Sequence, residues 1–411
     1  MRLRLTLILL AAQLATNAQT KTDHWVVTWG TALSLLRPQP PANPPAQPAP
    51  GAAGFTNQTV RMIARTSIGG ERLRIKVENA FGSSPVTIGA AHIALRGADS
   101  AIVAGSDRAL TFNGKPGCIL SSGVVRVSDP VDLKVAALSD LSVSLYFPGE
   151  TGPPTSHGTG LHTTYISKEG DFTGQSAIAD AATSLSYYYM AAIDVAAPEA
   201  AAALVTFGDS ITDGTASAPN SNHSWPALLA ARLVGNKKTN MVGVANMGIS
   251  GNRVLYDGSG ASALARFDRD VLSQSGVKWV MLMEGINDIG RVGATPPSPE
   301  APTADDLIAA YRQFIDIAHT HGIKAIGCTL TPYEGAGYSR EPGEAVREAV
   351  NTFIRTGGAF DGVVDFEAAT RDSANPKRFR ATFDPGDHLH PNNAGYQAMA
   401  DAVDLSIFTR K

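Results

Sequence analysis

Four short polar blocks in this chain carry side chains that could do chemistry together. The first is LVTFGDSITDG, residues 204–214, where an apolar run passes directly into Gly208, Asp209 and Ser210. A serine hydroxyl attacks carbonyl carbon only weakly unless a base takes its proton. Further on come NMGISGN (246–252) and GINDIG (285–290), rich in glycine and in asparagine amides able to donate hydrogen bonds. Near the other end, DPGDHLHPN brings two carboxylates, Asp384 and Asp387, beside two imidazoles, His388 and His390. Nucleophile, donors, base and acid are the parts of an acyl-transfer site.

The elements around these blocks decide whether they can meet. From about residue 200 onward, short apolar runs alternate with helical stretches: ALVTF, MVGVAN, KWVMLME, IKAIGCTL and GVVDFE read as strands. Between the third and fourth lies TADDLIAAYRQFIDIAHTHG, with Thr303 as N-cap, Asp305 and Asp306 in the first turn and Gly322 as terminator. Five such alternations predict a three-layer α/β/α domain on a parallel sheet, flavodoxin-like, over residues 200–411. Ligands of such sheets bind beyond the carboxyl ends of the strands, where each of the four blocks falls.

Residues 21–194 follow a different rule. In ERLRIKVEN, Leu73, Ile75 and Val77 share one face and Arg74, Lys76 and Glu78 the other, and DLSVSLYF alternates in the same way. Many half-buried strands separated by turns predict an antiparallel β-sandwich of jelly-roll-like topology. It is interrupted by a Pro/Ala-rich stretch, 37–54, expected to be extended and mobile. Ahead of it, residues 1–18 combine two arginines, an apolar run and small residues up to Ala18, the pattern of a signal peptide. A secreted or periplasmic location is expected on that basis.

Taken in order, GDS, the Gly loop, Gly-x-Asn-Asp and Asp-x-x-His resemble the SGNH/GDSL hydrolase superfamily over about residues 203–408, in particular its two-domain bacterial branch grouped with xylan-degrading esterases. The resemblance implies Ser210 as nucleophile, His390 as base and Asp387 as the acid that orients it. It further implies an oxyanion hole made of the backbone N–H groups of Ser210 and Gly251 and the Asn287 amide. Pro391 suits a first helical position, so His390 is expected at a helix start. The activity implied is that of an exported serine esterase working through an acyl-enzyme, on acetyl or other short-chain esters of carbohydrate. A general short-chain esterase or lysophospholipase is the neighbouring reading. A glycan-binding protein with an inactive hydrolase-like half is the reading from another class.

Other polar residues have structural roles as their first expectation. Asp209, Asn246 and Asp288 suit loop-locking, Gly248 a tight turn, and His319 and His321 a helix C-terminus. The run Tyr187–Tyr189 suits alternating core and surface, while Arg253 and Trp225 stay open between substrate contact and packing. The net charge of -3 offers nucleic acid no basic field. No apolar run after the N-terminal one is long enough for stable membrane insertion. Neither G-x-G-x-x-G after a strand, nor a P-loop, nor H-E-x-x-H occurs, so no cofactor and no metal are expected. The G-x-S-x-G elbow of the other large esterase fold is missing too. Cys118 and Cys328 are read as free thiols, although export would permit a disulfide. The partner expected is a small-molecule or oligosaccharide ester, and nothing in the sequence sets an oligomeric state.

Overall fold

The computed structural model describes residues 23–35 and 49–409. The stretch 1–18, read above as a signal peptide, and most of the Pro/Ala-rich stretch lie outside the described residues. The chain builds an antiparallel β region and a parallel α/β domain, joined where the strand Met190–Ala196 gives way to Ala202–Gly208.

In the β region, one sheet runs in the order Trp25–Gly30, Met190–Ala196, Gly70–Glu78, Val131–Val135, with Val125–Val127 also paired to Gly70–Glu78. A six-stranded sheet is centred on Gln58–Arg65 and Asp140–Phe147. Period-two burial holds in Gly70–Glu78, where Leu73, Ile75 and Val77 are fully buried. It fails in Asp140–Phe147: Ser142 and Ser144, on the face expected to meet solvent, are buried as well. The cause is Arg61 on the neighbouring strand. Its guanidinium lies across that face, donating to Ser144 Oγ at 2.8 Å and to the carbonyls of Ser100 and Gln175 at 2.6 and 2.8 Å. The three tyrosines 187–189 likewise do not alternate; all are buried. Tyr189 takes a positive φ of 58°, which breaks the strand alternation, and Tyr187 donates to the Ile63 carbonyl at 2.9 Å.

The second domain holds a five-stranded sheet, every pairing parallel, built from Val242–Gly248, Ala202–Gly208, Val277–Met283, Lys324–Cys328 and Gly362–Val364 in that spatial order. Numbered by sequence the order is 2-1-3-4-5, the flavodoxin-like arrangement. Right-handed crossovers then set Trp225–Val234 on one face and Ala304–Thr320 and Glu341–Thr356 on the other. The last helix, Asn393–Asp401, returns to pack beside Trp225–Val234. Ala304–Thr320 opens with a capping box: Thr303 accepts from the Asp306 N–H, and Asp306 accepts from the Thr303 N–H. Cys118 and Cys328 are free thiols.

The two regions are packed together. Trp25–Gly30 lies along Val242–Gly248, where Gly243 lets the Val27 carbonyl approach to 2.4 Å of the place a Cβ would occupy. Ser67 Oγ accepts from the Val244 N–H at 2.8 Å, and the Ser275 carbonyl from the Val27 N–H at 2.9 Å.

Candidate active site

Because the five strands run parallel, the loops that follow them share one rim. Ser210 opens a single turn of helix, Ser210–Asp213, immediately after the first strand. Asp209 caps that turn by accepting from the Ile211 N–H at 3.0 Å. As first residue of the helix, Ser210 has an N–H with no carbonyl of its own helix to meet. Its side chain is almost fully buried, so the hydroxyl is held rather than freely rotating in water.

The chain reaches back to that hydroxyl from 180 residues away: His390 Nε2 lies 2.8 Å from Ser210 Oγ. The other ring nitrogen, Nδ1, faces Asp387 Oδ2 at 2.6 Å. A carboxylate only accepts, so Nδ1 carries the hydrogen and Nε2 is left to accept from the serine. Asp387 is itself held in place, since its Oδ1 accepts from the N–H groups of Leu389 and His390, each at 3.0 Å. Partial burial works against its charge, yet those N–H groups and the imidazole keep its carboxyl below the usual carboxylate range. The neighbouring His388 and Asp384 form a separate hydrogen-bonded pair, and the imidazole hydrogen-bonded to Ser210 is that of His390. The expected helix start is displaced: Asn392, not His390, caps the helix, accepting from Ala394 and Gly395 N–H, and Pro391 precedes the cap. The asparagine side chain is the better acceptor for those free N–H groups.

The second and third loops bring the hydrogen-bond donors. Gly248 packs onto the helix Ser210–Asp213 so tightly that a Cβ would stand 2.3 Å from the Asp213 nitrogen. Gly251 has a φ of 78°, a left-handed conformation that glycine adopts without strain. Asn287 lies in the helical turn Ile286–Ile289 beyond the third strand. One hydrogen of its amide goes to the Asn252 carbonyl at 2.8 Å, and its Oδ1 accepts from Tyr338 Oη at 3.2 Å. The amide nitrogen keeps a second hydrogen.

Below the rim, Arg266 is completely buried and ties the strand ends together. It donates to the carbonyls of Gly208 and Met247 at 2.9 and 2.8 Å, to Asn252 Oδ1 at 2.8 Å and to Asp270 at 2.9 Å. Asp209 and Glu284, both buried, lie close to it. Burial, then the charges of Asp288 and Asp213, raises Asp209 above the ordinary carboxylate range; burial, then the charges of Asp209 and Asp288, raises Glu284. Asp288 is pushed up to about 6 by burial while it accepts from the Val254 and Leu255 N–H groups. Asn246 holds the helix Ser210–Asp213 by donating to the Thr212 carbonyl at 2.9 Å.

The two residues left open by the sequence, Trp225 and Arg253, take structural positions, as do the two histidines expected at a helix end. Trp225 is buried against Phe366, and Arg253 pairs with Glu300 at 2.5 Å and with the Asp257 carbonyl. His319 meets Asp361, and His321 meets the Ile317 carbonyl. Tyr338 was not singled out by the sequence, nor was His157, whose imidazole reaches Asp213 from the β region. Neither belongs to a motif. Among the described residues, no group of three or more His, Cys, Asp or Glu side chains is placed to hold a metal ion.

A serine in line with an imidazole and a carboxylate, on the carboxyl rim of a 2-1-3-4-5 parallel sheet and without a G-x-S-x-G elbow, defines a serine hydrolase fold and site. Residues 204–403 match the family model described as GDSL-like Lipase/Acylhydrolase, so this stretch of the chain carries a GDSL-like hydrolase domain. Solved structures to which the chain shows similarity include an acetyl-xylooligosaccharide esterase from Geobacillus, 25% identical over 51% of this chain and 95% of that one, with a TM-score of 0.40. A GDSL-like lipase from Bacteroides thetaiotaomicron is 20% identical over 50% of this chain and 88% of its own, with a TM-score of 0.37. An acetyl xylan esterase is 22% identical over 49% and 96%, with a TM-score of 0.38. No curated protein sequence matches the chain significantly.

Proposed function

We propose that the protein is an exported serine esterase that hydrolyses short-chain, chiefly acetyl, esters of carbohydrate. The observation that carries the esterase reading is the line from Asp387 through His390 to the Ser210 hydroxyl. In the first half-reaction, Ser210 Oγ attacks the ester carbon while His390 Nε2 takes its proton. The tetrahedral oxyanion is met by the N–H groups of Ser210 and Gly251 and by the second hydrogen of the Asn287 amide. His390 then returns the proton to the departing alcohol, leaving an acyl group on Ser210. Water, deprotonated by the same imidazole, releases the acid and restores the serine. No step calls for a cofactor.

Export rests on the N-terminal sequence pattern, and the carbohydrate substrate on the resemblance to two-domain bacterial esterases. We read the β region, from its alternating half-buried strands separated by turns, as a jelly-roll-like sandwich beside the ester site. The test is hydrolysis of p-nitrophenyl acetate by the full chain and by Ser210→Ala, followed by acetate release from acetylated oligosaccharides, short aryl esters and lysophospholipid. The reading expects turnover by the wild type alone and preference for the acetylated sugar. Equal rates for the two proteins overturn the esterase; preference for the aryl ester or lysophospholipid overturns the carbohydrate substrate.

A further inference from the structure

His157 belongs to the strand Thr155–His157 of the β region, yet its imidazole is buried against the nucleophile helix of the other domain. Its Nε2 lies 2.9 Å from Asp213 Oδ1, and its Nδ1 lies 2.8 Å from the Ala32 carbonyl. Both partners are acceptors, so both ring nitrogens donate and the group is an imidazolium. The second carboxylate oxygen, Asp213 Oδ2, accepts from the Ser250 N–H at 3.0 Å and from the Ser250 hydroxyl at 2.6 Å. Ser250 directly precedes Gly251, whose N–H is one of the oxyanion donors proposed above. A chain of hydrogen bonds therefore leads from the β region into the loop that supplies the donor.

We propose that His157 is a positioning residue for ester hydrolysis: through Asp213 and Ser250, the β region fixes the Gly251 N–H relative to Ser210. The role rests on the esterase reading. Gly251 has no side chain with which to lock its own left-handed turn, so its orientation is set by its neighbours. Ser250 supplies that anchor twice, by backbone and by hydroxyl, on one carboxylate oxygen. The anchor is firm only if the carboxylate itself does not move. His157 holds the other oxygen, and the Ala32 carbonyl, in the buried connection just after the strand Trp25–Gly30, holds His157. A donor misplaced by a fraction of an ångström loses much of its value to the transition state while substrate binding is little affected.

The test uses the full-length protein and two readouts. These are kcat and KM for p-nitrophenyl acetate, and inhibition by phenylboronic acid, which forms a tetrahedral anion on the serine and so reads the oxyanion donors. His157→Ala is expected to lower kcat by about 10- to 100-fold, with KM within about twofold and boronate affinity weakened by a factor similar to that in kcat. In His157→Gln the amide can still donate to Asp213, so a smaller loss is expected. Ser250→Ala, which leaves the interdomain contact in place, is expected to lose about three- to tenfold in kcat. If His157→Ala does not fold, the other two variants carry the test. Folded His157→Gln and Ser250→Ala with wild-type kcat and wild-type boronate affinity overturn the proposal, as does a loss confined to KM. Equal activity of the wild type and Ser210→Ala overturns the esterase reading itself, and the positioning role with it.

Discussion

Ser210 Oγ and His390 Nε2 stand 2.8 Å apart although 180 residues separate them, and the imidazole is aimed by a carboxylate only three residues upstream of it. The orientation depends on which ring nitrogen bears the hydrogen. Asp387→Asn keeps the shape but can offer an amide N–H toward Nδ1, which favours the wrong tautomer. It is expected to lower kcat by about 100- to 10,000-fold with little change in the melting temperature. Steady-state kinetics alongside a thermal melt check both halves of this expectation.

Tyr338 donates to Asn287 Oδ1, and Asn287 donates one hydrogen to the Asn252 carbonyl. On the proposed mechanism, these contacts set which end of the amide is turned toward the oxyanion. Tyr338→Phe is expected to lower kcat by about 3- to 30-fold while KM stays within twofold, and Asn287→Ala by about 100- to 1,000-fold. The double variant should be no slower than Asn287→Ala alone, because the tyrosine acts through the amide. Additive losses in that double-mutant cycle would show that Tyr338 has an independent role.

The legible parts of this molecule are those written locally. The period of two in Gly70–Glu78 and the strand–helix alternation after residue 200 each report a face or a layer from a few neighbouring residues. The parallel sheet then gathers widely separated loops on one rim, so Ser210, Gly251, Asn287 and the Asp387–His390 loop could be picked out from their places after strands together with a resemblance. What escaped depends on distant partners. His157 sits in a three-residue strand, and only the packing of two regions gives it Asp213. Tyr338 lies in a loop without a motif. Arg61 looks like the solvent side of an alternating strand until the carbonyls of residues 100 and 172–175 are folded over it.

Arg61 yields a stability prediction of its own. Its buried guanidinium donates to Ser144 Oγ and to the carbonyls of Ser100, Phe172, Thr173 and Gln175. Burial, only partly offset by Asp107, lowers its pKa, but the ring of acceptors compensates the buried cation. Arg61→Met fills a similar volume and takes away the donor to the Ser144 hydroxyl and to the carbonyls of Ser100, Thr173 and Gln175, while the Phe172 carbonyl keeps the Gln175 N–H. A loss of about 2 to 4 kcal/mol in unfolding free energy is expected, read by denaturant titration. Activity measured well below the unfolding transition should stay at the wild-type level.

The buried acids beneath the nucleophile make the last prediction one of pH. Glu284 is fully buried; among the described residues neither of its oxygens has a hydrogen-bond partner, and the Arg266 guanidinium stands 3.5 Å away. Burial first, then the charge of Asp209, raises its pKa well above the carboxylate range, with Arg266 opposing. The folded state thus holds a proton that the unfolded chain gives up at about pH 4. The associated stabilisation is complete below that value and is lost as pH rises toward and through the raised folded value. Glu284→Gln keeps the shape and carries no charge to bury at any pH. The melting temperature of the variant minus that of the wild type should therefore become more positive from pH 5 to pH 8. Melts at several pH values, at constant ionic strength, measure that slope; a difference independent of pH would mean that Glu284 is already charged in the folded protein at pH 5.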